Sequence, residues 1–210
     1  MSAETRSSSP APWRAAEAAR LYLITAARPD LDDFLQAAVR GGVDLVQLRD
    51  KELADGALLD ALAVAREATR RLGVPLVVND RPDLAVIAEA DGVHVGQDDL
   101  PVAEARRFGV RVGLSTHSAR EVDRADADYI GVGPVYATPT KEGRPAVGLD
   151  LVRHAAAGAR LPWFAIGGID RTNVDAVVTA GAKRIAVVRA IGDASDPSDA
   201  AAELRAALDA

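Results

Sequence analysis

Hydrophobic positions along the chain alternate between short runs rich in Val, Ile and Leu and longer stretches with helical spacing. The short runs predict eight strands, at residues 21–25, 45–49, 76–79, 92–95, 112–115, 129–133, 163–166 and 185–188. Helices are predicted between them, such as residues 54–72, 101–108, 151–157 and 173–180. Both sets of alternating positions in the strands are apolar, so we expect the strands to be covered on both faces.

Strands that each precede a helix favour a single closed α/β barrel of the (β/α)₈ (TIM) type, spanning residues 13–210. An open doubly wound sheet is the alternative, and the absence of a Gly-x-Gly-x-x-Gly motif after the first strand weakens it. Residues 13–20 predict a short helix before the barrel. Residues 1–12 are rich in Ser and Pro, which predicts a disordered tail.

Composition narrows the classes of function. Hydrophobic residues make up 49% of the chain and aromatic residues only 4%, so we expect a core of Ala, Val, Leu and Ile. A net charge of -6 argues against broad nucleic-acid or anionic-membrane binding, but it excludes neither phosphate nor pyrophosphate ligands, which a few local cations can bind. The absence of cysteine excludes disulfides and thiolate chemistry. With no signal-peptide pattern, a cytoplasmic location is expected; a homo-oligomer is left open.

The second predicted strand ends in an unusual polar pattern. Alternation places Gln47, Arg49 and Lys51 on one face, and Val46 and Leu48 on the other. If Leu48 faces the helices, an amide and two cations face the mouth of the barrel, where an anionic ligand would offset the cost of burying them. The alternative is that both cations are solvated loop charges.

Carboxylates follow the third and fourth predicted strands. Asp80 and Asp99 stand at neighbouring strand ends, so they are expected to share a cation such as Mg²⁺, which takes one or two carboxylates together with water and phosphate oxygens. The alternative interpretation makes each aspartate a helix N-cap.

Hydroxyl and imidazole groups follow the fifth strand. Ser115 is a candidate hydrogen-bond donor to a substrate, and Ser118 is predicted to cap the next helix. His117 is a candidate acid or base, although a structural role is more common at such a position; His94 and His154 are interpreted as structural. No Ser-His-Asp spacing is present, which argues against nucleophilic hydrolysis.

The last three loops complete the predicted mouth. Residues 137–144 are rich in hydroxyl groups, carry Lys141 and resemble a lid. Gly167 and Gly168 follow the seventh strand, where barrels commonly seat a phosphate on backbone N–H groups. Two anion sites are therefore predicted, which suits two phosphorylated substrates.

Taken in this order, the motifs resemble those of the thiamine-phosphate synthase family over residues 21–191. They are Gln47-Leu48-Arg49-Asp50-Lys51, Asn79-Asp80, Gly96-Gln97-Asp98-Asp99, Ser115, Thr138-Pro139-Thr140-Lys141 and Ile166-Gly167-Gly168-Ile169. The resemblance implies an enzyme that joins hydroxymethylpyrimidine pyrophosphate to a thiazole phosphate, with or without a carboxylate on the thiazole. Thiamine phosphate and pyrophosphate would be the products.

The resemblance also implies the site residues. Those for the pyrimidine pyrophosphate are Gln47, Leu48, Arg49, Asp50, Lys51, Asn79, Ser115 and Lys141. Those for the thiazole phosphate are Thr138, Pro139, Thr140, Gly168, Val188 and Arg189. Asp80 and Asp99 would bind Mg²⁺, and Arg49, Lys51, Ser115 and Lys141 would carry the catalysis. Arg189 departs from the family pattern, because some members have a small hydroxyl residue there.

The implied reaction needs no general base, because the thiazole nitrogen already has a lone pair. Its difficult step is breaking the carbon–oxygen bond to pyrophosphate, for which Mg²⁺, Arg49, Lys51 and Lys141 would neutralise the developing charge. A dissociative path is the hypothesis, with the lid excluding water. The alternatives are a thiazole tautomerase using His117, a non-catalytic barrel that binds thiamine intermediates, and another phosphate-binding barrel isomerase.

Overall fold

The computed structural model describes residues 18–138 and 145–210. Its centre is a closed barrel in which the strands run parallel in chain order and β8 pairs with β1. The strands are β1 Leu21–Thr25, β2 Leu45–Leu48, β3 Leu76–Asn79, β4 Gly92–Val95, β5 Arg111–Thr116, β6 Tyr129–Val132, β7 Trp163–Ile166 and β8 Ile185–Val187. The predicted (β/α)₈ barrel is confirmed.

Helices cover the outside of this barrel. They are α1 Leu31–Arg40, α2 Asp55–Leu72, α3 Pro82–Ile87, α4 Val102–Ala105, α5 Ala119–Arg124, α6 Gly148–Gly158, α7 Val174–Thr179, α8 Arg189–Gly192 and α9 Pro197–Asp209. A 3₁₀ turn at Arg106–Phe108 follows α4 directly. Among the described residues, no helix has the length and apolar character needed to cross a membrane.

The element boundaries differ from the sequence predictions in a few places. The predicted helix at residues 101–108 is divided into α4 and the 3₁₀ turn, and Pro101 lies before its first residue. The helix predicted at 151–157 begins earlier, at Gly148. Of the helix predicted at 13–20, only residues 18–20 are described, and Ala19 and Arg20 are not helical but lead into β1. The predicted tail at 1–12 lies outside the described residues.

Alternating strand positions divide the core into two layers. Leu23, Val46 and Leu48 are fully buried between the strands and the helices, in a layer that is largely aliphatic as expected. The barrel interior is different, because Tyr22, Tyr129 and Phe164 pack edge to face at its centre, with centroids 5.2–6.0 Å apart. The expectation of a core without aromatic residues was wrong there: three large rings fill the narrow space that eight strands enclose.

Aspartates close the base of the barrel, at the end opposite the loops that follow the strands. Asp44, Asp91 and Asp128 each stand directly before an even-numbered strand. Their carboxylates accept the N–H groups of Leu21, Leu76 and Val112, each at 2.9 Å. Each also pairs with an arginine, namely Arg205, Arg66 and Arg111 respectively. These aspartates link β2, β4 and β6 to the starts of their odd-numbered neighbours.

Candidate active site at the mouth of the barrel

A cavity of about 330 Å³ opens at the carboxyl ends of the strands. Side chains from the first five strands line one wall, and the other is formed by β6, β7 and β8 together with the loops that follow them. The polar wall includes Gln47, Arg49, Asn79, His94 and Ser115, and the second wall includes Gly131, Thr138, Ile166, Gly168, Val188 and Arg189. The volume suits small-molecule ligands.

The structure places the β2 motif in two environments. Gln47 is 1% exposed and faces the barrel interior, while Arg49 is half-buried in the cavity wall. Leu48 lies in the helix-facing core, so its side chain does not reach the cavity, and the prediction that it lines the site was wrong. Asp50 is not a lining residue either, because its Oδ1 accepts the N–H groups of Glu52 and Leu53 and so shapes the loop.

Lys51 and Asp80 form an ion pair at the mouth, with Nζ 2.9 Å from Oδ2. Asp80 directly follows Asn79 of the cavity wall and has a φ of 60°, in the left-handed region that is uncommon for a residue with a side chain. Its backbone N–H donates to the carbonyl of His94, which ties the end of β3 to β4. Neither Lys51 nor Asp80 is among the residues lining the cavity.

Asp99 occupies the turn after β4, where its Oδ2 accepts the N–H of Gly96 at 2.7 Å. The interpretation of Asp80 and Asp99 as helix caps was wrong, because α3 and α4 follow Arg81 and Pro101, and neither has a side-chain cap. In the contacts formed among the described residues, each of the two carboxylates uses Oδ2, which leaves Oδ1 for another ligand.

His94 is one of the cavity-lining residues that the sequence interpretation missed, as are Asp170 and Asp193. It lines the cavity, and its Nε2 lies 3.0 Å from the hydroxyl of Ser115. Its Nδ1 lies 3.1 Å from the hydroxyl of Tyr129 in the interior. Alternation in β4 contained the signal, because Val93 and Val95 face the helices and His94 must therefore face inward.

The loop after β5 contains another histidine and a helix cap. His117 lines the cavity, and its Nδ1 contacts the carbonyl of Gly133 while its backbone N–H donates to Glu121. Ser118 caps α5 by accepting the N–H of Glu121 at 3.3 Å, as predicted. His154 lies outside the cavity, on the surface of α6, where it contacts Asp123.

The glycine wall is made by two loops in close contact. Gly167 and Gly168 have φ values of 103° and 65°, which favour glycine. A Cβ on Gly168 would lie 2.7 Å from the Cβ of Tyr136, so only glycine allows the loop after β6 to approach this closely. Val188 and the exposed Arg189 complete this wall. Pro139, Thr140 and Lys141 lie outside the described residues.

Comparisons with known proteins agree with this architecture. A family model described as thiamine monophosphate synthase matches residues 21–191. The chain is 54% identical to the thiamine-phosphate synthase of Gloeobacter violaceus, over 86% of this chain but 54% of that protein, so it spans about half of that relative's length. It is also 54% identical to the thiamine-phosphate synthase of Acidothermus cellulolyticus, over 90% of this chain and 95% of that protein.

Solved structures of other proteins also resemble this chain. A thiamine phosphate pyrophosphorylase from Pyrococcus furiosus superposes with a TM-score of 0.82 and 31% identity, covering 90% of this chain and 95% of that one. A 3-hexulose-6-phosphate synthase superposes with a TM-score of 0.65 at 21% identity, which shows a shared fold alone. Because the family model covers most of the chain and these relatives are 54% identical over the aligned residues, this chain belongs to the thiamine-phosphate synthase family.

Proposed function

We propose that this chain joins hydroxymethylpyrimidine pyrophosphate to a thiazole phosphate, releasing pyrophosphate and forming thiamine phosphate. The observation that carries the proposal is a single cavity with two unlike walls. One wall offers the amides of Gln47 and Asn79 and the guanidinium of Arg49, and the other offers the backbone of Gly168. Two substrates held on facing walls are close enough to react.

The polar wall suits the pyrimidine pyrophosphate. Gln47, Asn79 and Ser115 are amides and a hydroxyl that can hydrogen-bond a heteroaromatic ring. Arg49 lies at the end of this wall nearest the mouth, where its planar guanidinium can bind two phosphate oxygens at once. Lys51 stands at the rim as a second cation, and Lys141 is a third by family resemblance. The pyrophosphate would then point out of the barrel, with its ring inside.

Asp80 and Asp99 would hold a magnesium ion, whose positive charge would offset negative charge on the leaving pyrophosphate. The donor set fits, because both groups are carboxylates on neighbouring loops and each retains an oxygen outside its described contacts. Lys51 pairs with Asp80 in this structure, which supports a shared role for the two side chains at the proposed pyrophosphate and metal site.

The chain's side chains act on the leaving group rather than on the nucleophile. The thiazole nitrogen attacks with its own lone pair, so no side chain is needed to remove a proton from it. Arg49 and Lys51 would neutralise charge as the carbon–oxygen bond breaks, which stabilises a dissociative, carbocation-like transition state. The depth of Gln47 and Ser115, both at least nine-tenths buried, would keep water from the reactive methylene. A lid role for residues 137–144 stays a prediction.

The remaining partners follow from the same chemistry. Small phosphorylated molecules are the proposed substrates, and the net charge of -6 gives no basis for nucleic-acid or membrane binding. A cytoplasmic location stays a prediction. The oligomeric state, monomer or homo-oligomer, is left open.

Binding measurements with each substrate test the proposal. The parent protein should bind both compounds in magnesium, and Arg49→Ala should raise the Kd for the pyrimidine pyrophosphate by about 10- to 100-fold, as expected for a lost charged hydrogen bond. The Kd for the thiazole phosphate should stay within about twofold. Arg153→Ala is the matched control, because the contact of Arg153 among the described residues is its ion pair with Asp150 on the surface of α6. A parent protein that binds neither compound contradicts the proposed function.

A further inference from the structure

A continuous line of hydrogen bonds crosses the barrel interior beneath the cavity. Gln47 Nε2 donates to the Tyr22 hydroxyl at 2.5 Å, and that hydroxyl lies 3.0 Å from the hydroxyl of Tyr129. Tyr129 is 3.1 Å from Nδ1 of His94, and Nε2 of His94 is 3.0 Å from Ser115. The line begins and ends on the polar wall of the cavity, while the two tyrosines lie below it. We call it the tyrosine bridge.

The donors and acceptors in the tyrosine bridge follow one direction. With the Gln47 amide as donor, the Tyr22 hydroxyl accepts, and its own proton points to Tyr129. Tyr129 in turn donates to Nδ1 of His94, so that imidazole carries its proton on Nε2 and donates to Ser115. The carbonyl oxygen of Gln47 and the hydroxyl proton of Ser115 are then the groups directed away from the bridge.

The packing around the tyrosine bridge leaves its rings little freedom. Tyr22 and Tyr129 are 2% and 4% exposed, and Phe164 packs edge-on against both. Gly113, beside Tyr129 on β5, provides the space, since a Cβ there would lie 2.2 Å from the tyrosine ring. Burial raises the pKa of both phenols, so each keeps the proton that the line of hydrogen bonds requires.

We propose that Tyr22 and Tyr129 are positioning residues that align Gln47 and His94, and through them Ser115, to recognise the ring of the pyrimidine substrate. The ligand identity rests on the proposed function; the alignment itself rests on the four hydrogen bonds. Buried side chains held by specific hydrogen bonds present one donor–acceptor pattern, and a heteroaromatic ring with an amino group beside a ring nitrogen has a complementary one.

Isosteric substitution tests the proposal. Tyr22→Phe keeps the ring but removes the hydroxyl, so the Kd for the pyrimidine pyrophosphate should rise about three- to tenfold, as for a lost neutral hydrogen bond. Inorganic pyrophosphate lacks the ring, and its Kd should change by less than about twofold. Phe164→Leu is the matched control, because it loosens the same aromatic cluster without removing a hydrogen bond; it should lower stability without this selectivity.

A double-mutant cycle shows whether Tyr22 acts through Gln47. In a Gln47→Met background, Tyr22→Phe should have no further effect on the Kd for the pyrimidine pyrophosphate. Additive losses, or equal losses for inorganic pyrophosphate, would overturn the positioning role, as would a Tyr22→Phe variant that binds like the parent. A parent protein that fails to bind the pyrimidine compound overturns the proposed function as well.

Nitrogen NMR tests the direction of the line of hydrogen bonds independently of any ligand. The chain has three histidines, so ¹⁵N-histidine labelling gives a small set of signals that a His94→Gln variant assigns. At about pH 8, the imidazole of His94 should carry a proton on Nε2 and none on Nδ1. A proton on Nδ1 would contradict the direction inferred from the Gln47 amide.

Discussion

At the residue scale, two glycines on neighbouring strands face the barrel interior with opposite surroundings. A Cβ on Gly113 would lie 2.2 Å from the ring of Tyr129, whereas a Cβ on Gly131 would lie 3.6 Å from His94, an ordinary contact. Gly131 also lines the cavity. The first glycine makes room for the ring of Tyr129, and the second borders the open cavity.

These surroundings predict different effects of alanine. Gly113→Ala should lower the free energy of unfolding by about 1–3 kcal/mol, because Tyr129 must move. Gly131→Ala should change it by less than about 1 kcal/mol but raise the KM of the substrates, because a methyl group fills part of the cavity. Urea denaturation and steady-state kinetics measure the two quantities. Equal stability losses in both variants would show that the cavity is not open at Gly131.

The proposed magnesium site at Asp80 and Asp99 can be tested by neutralising each carboxylate. Asp80→Asn and Asp99→Asn should each raise the magnesium concentration needed for half-maximal activity about tenfold or more, since a neutral amide is a poorer ligand for a hard cation. The folded state should be retained, because both side chains lie at the mouth. Asp126→Asn serves as the control: its carboxylate is 88% exposed and pairs with Arg106 on the surface. Unchanged magnesium dependence in both variants would exclude the proposed metal site.

At the element scale, we expect the aspartates at the base of the barrel to stabilise the fold and the residues at the mouth to carry the chemistry. Asp128 accepts the N–H of the buried Val112 and pairs with Arg111. Asp128→Ala would leave that N–H without its acceptor, so the free energy of unfolding should fall by about 1–3 kcal/mol.

Chemical denaturation and activity together check this prediction. The kcat of Asp128→Ala should match that of the parent at a temperature where both are folded, because Asp128 lies at the opposite end of β6 from the cavity. The stability cost for Asp126→Ala, two residues away and largely exposed, should stay below about 0.5 kcal/mol. Loss of kcat in a folded Asp128 variant would contradict the separation of stability from chemistry.

Sequence patterns predicted the strands well because the rule behind them is local. Apolar runs bounded by glycine located the strands, and β1, β3, β4 and β7 have the predicted ends. Alternation also placed Gln47 and Arg49 on the inner face, where the structure has them. The same rule applied to β4 would have placed His94 in the cavity. His94 was interpreted as structural because the two-residue alternation of the strand was not applied to it.

Long-range partners could not be predicted in this way. The Gln47–Tyr22–Tyr129–His94–Ser115 line joins residues up to 107 positions apart, and nothing in the spacing of Tyr22 and Tyr129 indicates that they meet. The ion pair between Lys51 and Asp80 could not be predicted either, because it depends on how two loops approach each other after the barrel closes. Local periodicity determines which face of a strand a side chain lies on, whereas the closed barrel determines which residues that side chain contacts.

At the scale of the whole molecule, the mouth of the barrel has two walls with different chemistry, and the proposed function assigns one substrate to each wall. Side chains from β2, β3, β4 and β5 make the polar wall, and backbone-rich loops after β6, β7 and β8 make the glycine wall. A thiazole tautomerase would need only the second wall and an acid or base such as His117. The polar wall therefore distinguishes the proposed function from an isomerisation.

The most direct measurement is a time course of both products from the parent protein with hydroxymethylpyrimidine pyrophosphate, thiazole phosphate and magnesium. We predict that thiamine phosphate and pyrophosphate appear in equal amounts, only when both substrates are present, and that EDTA stops both. Pyrophosphate release without thiamine phosphate, full turnover in EDTA, or isomerisation of a thiazole compound alone would contradict the two-walled synthase site.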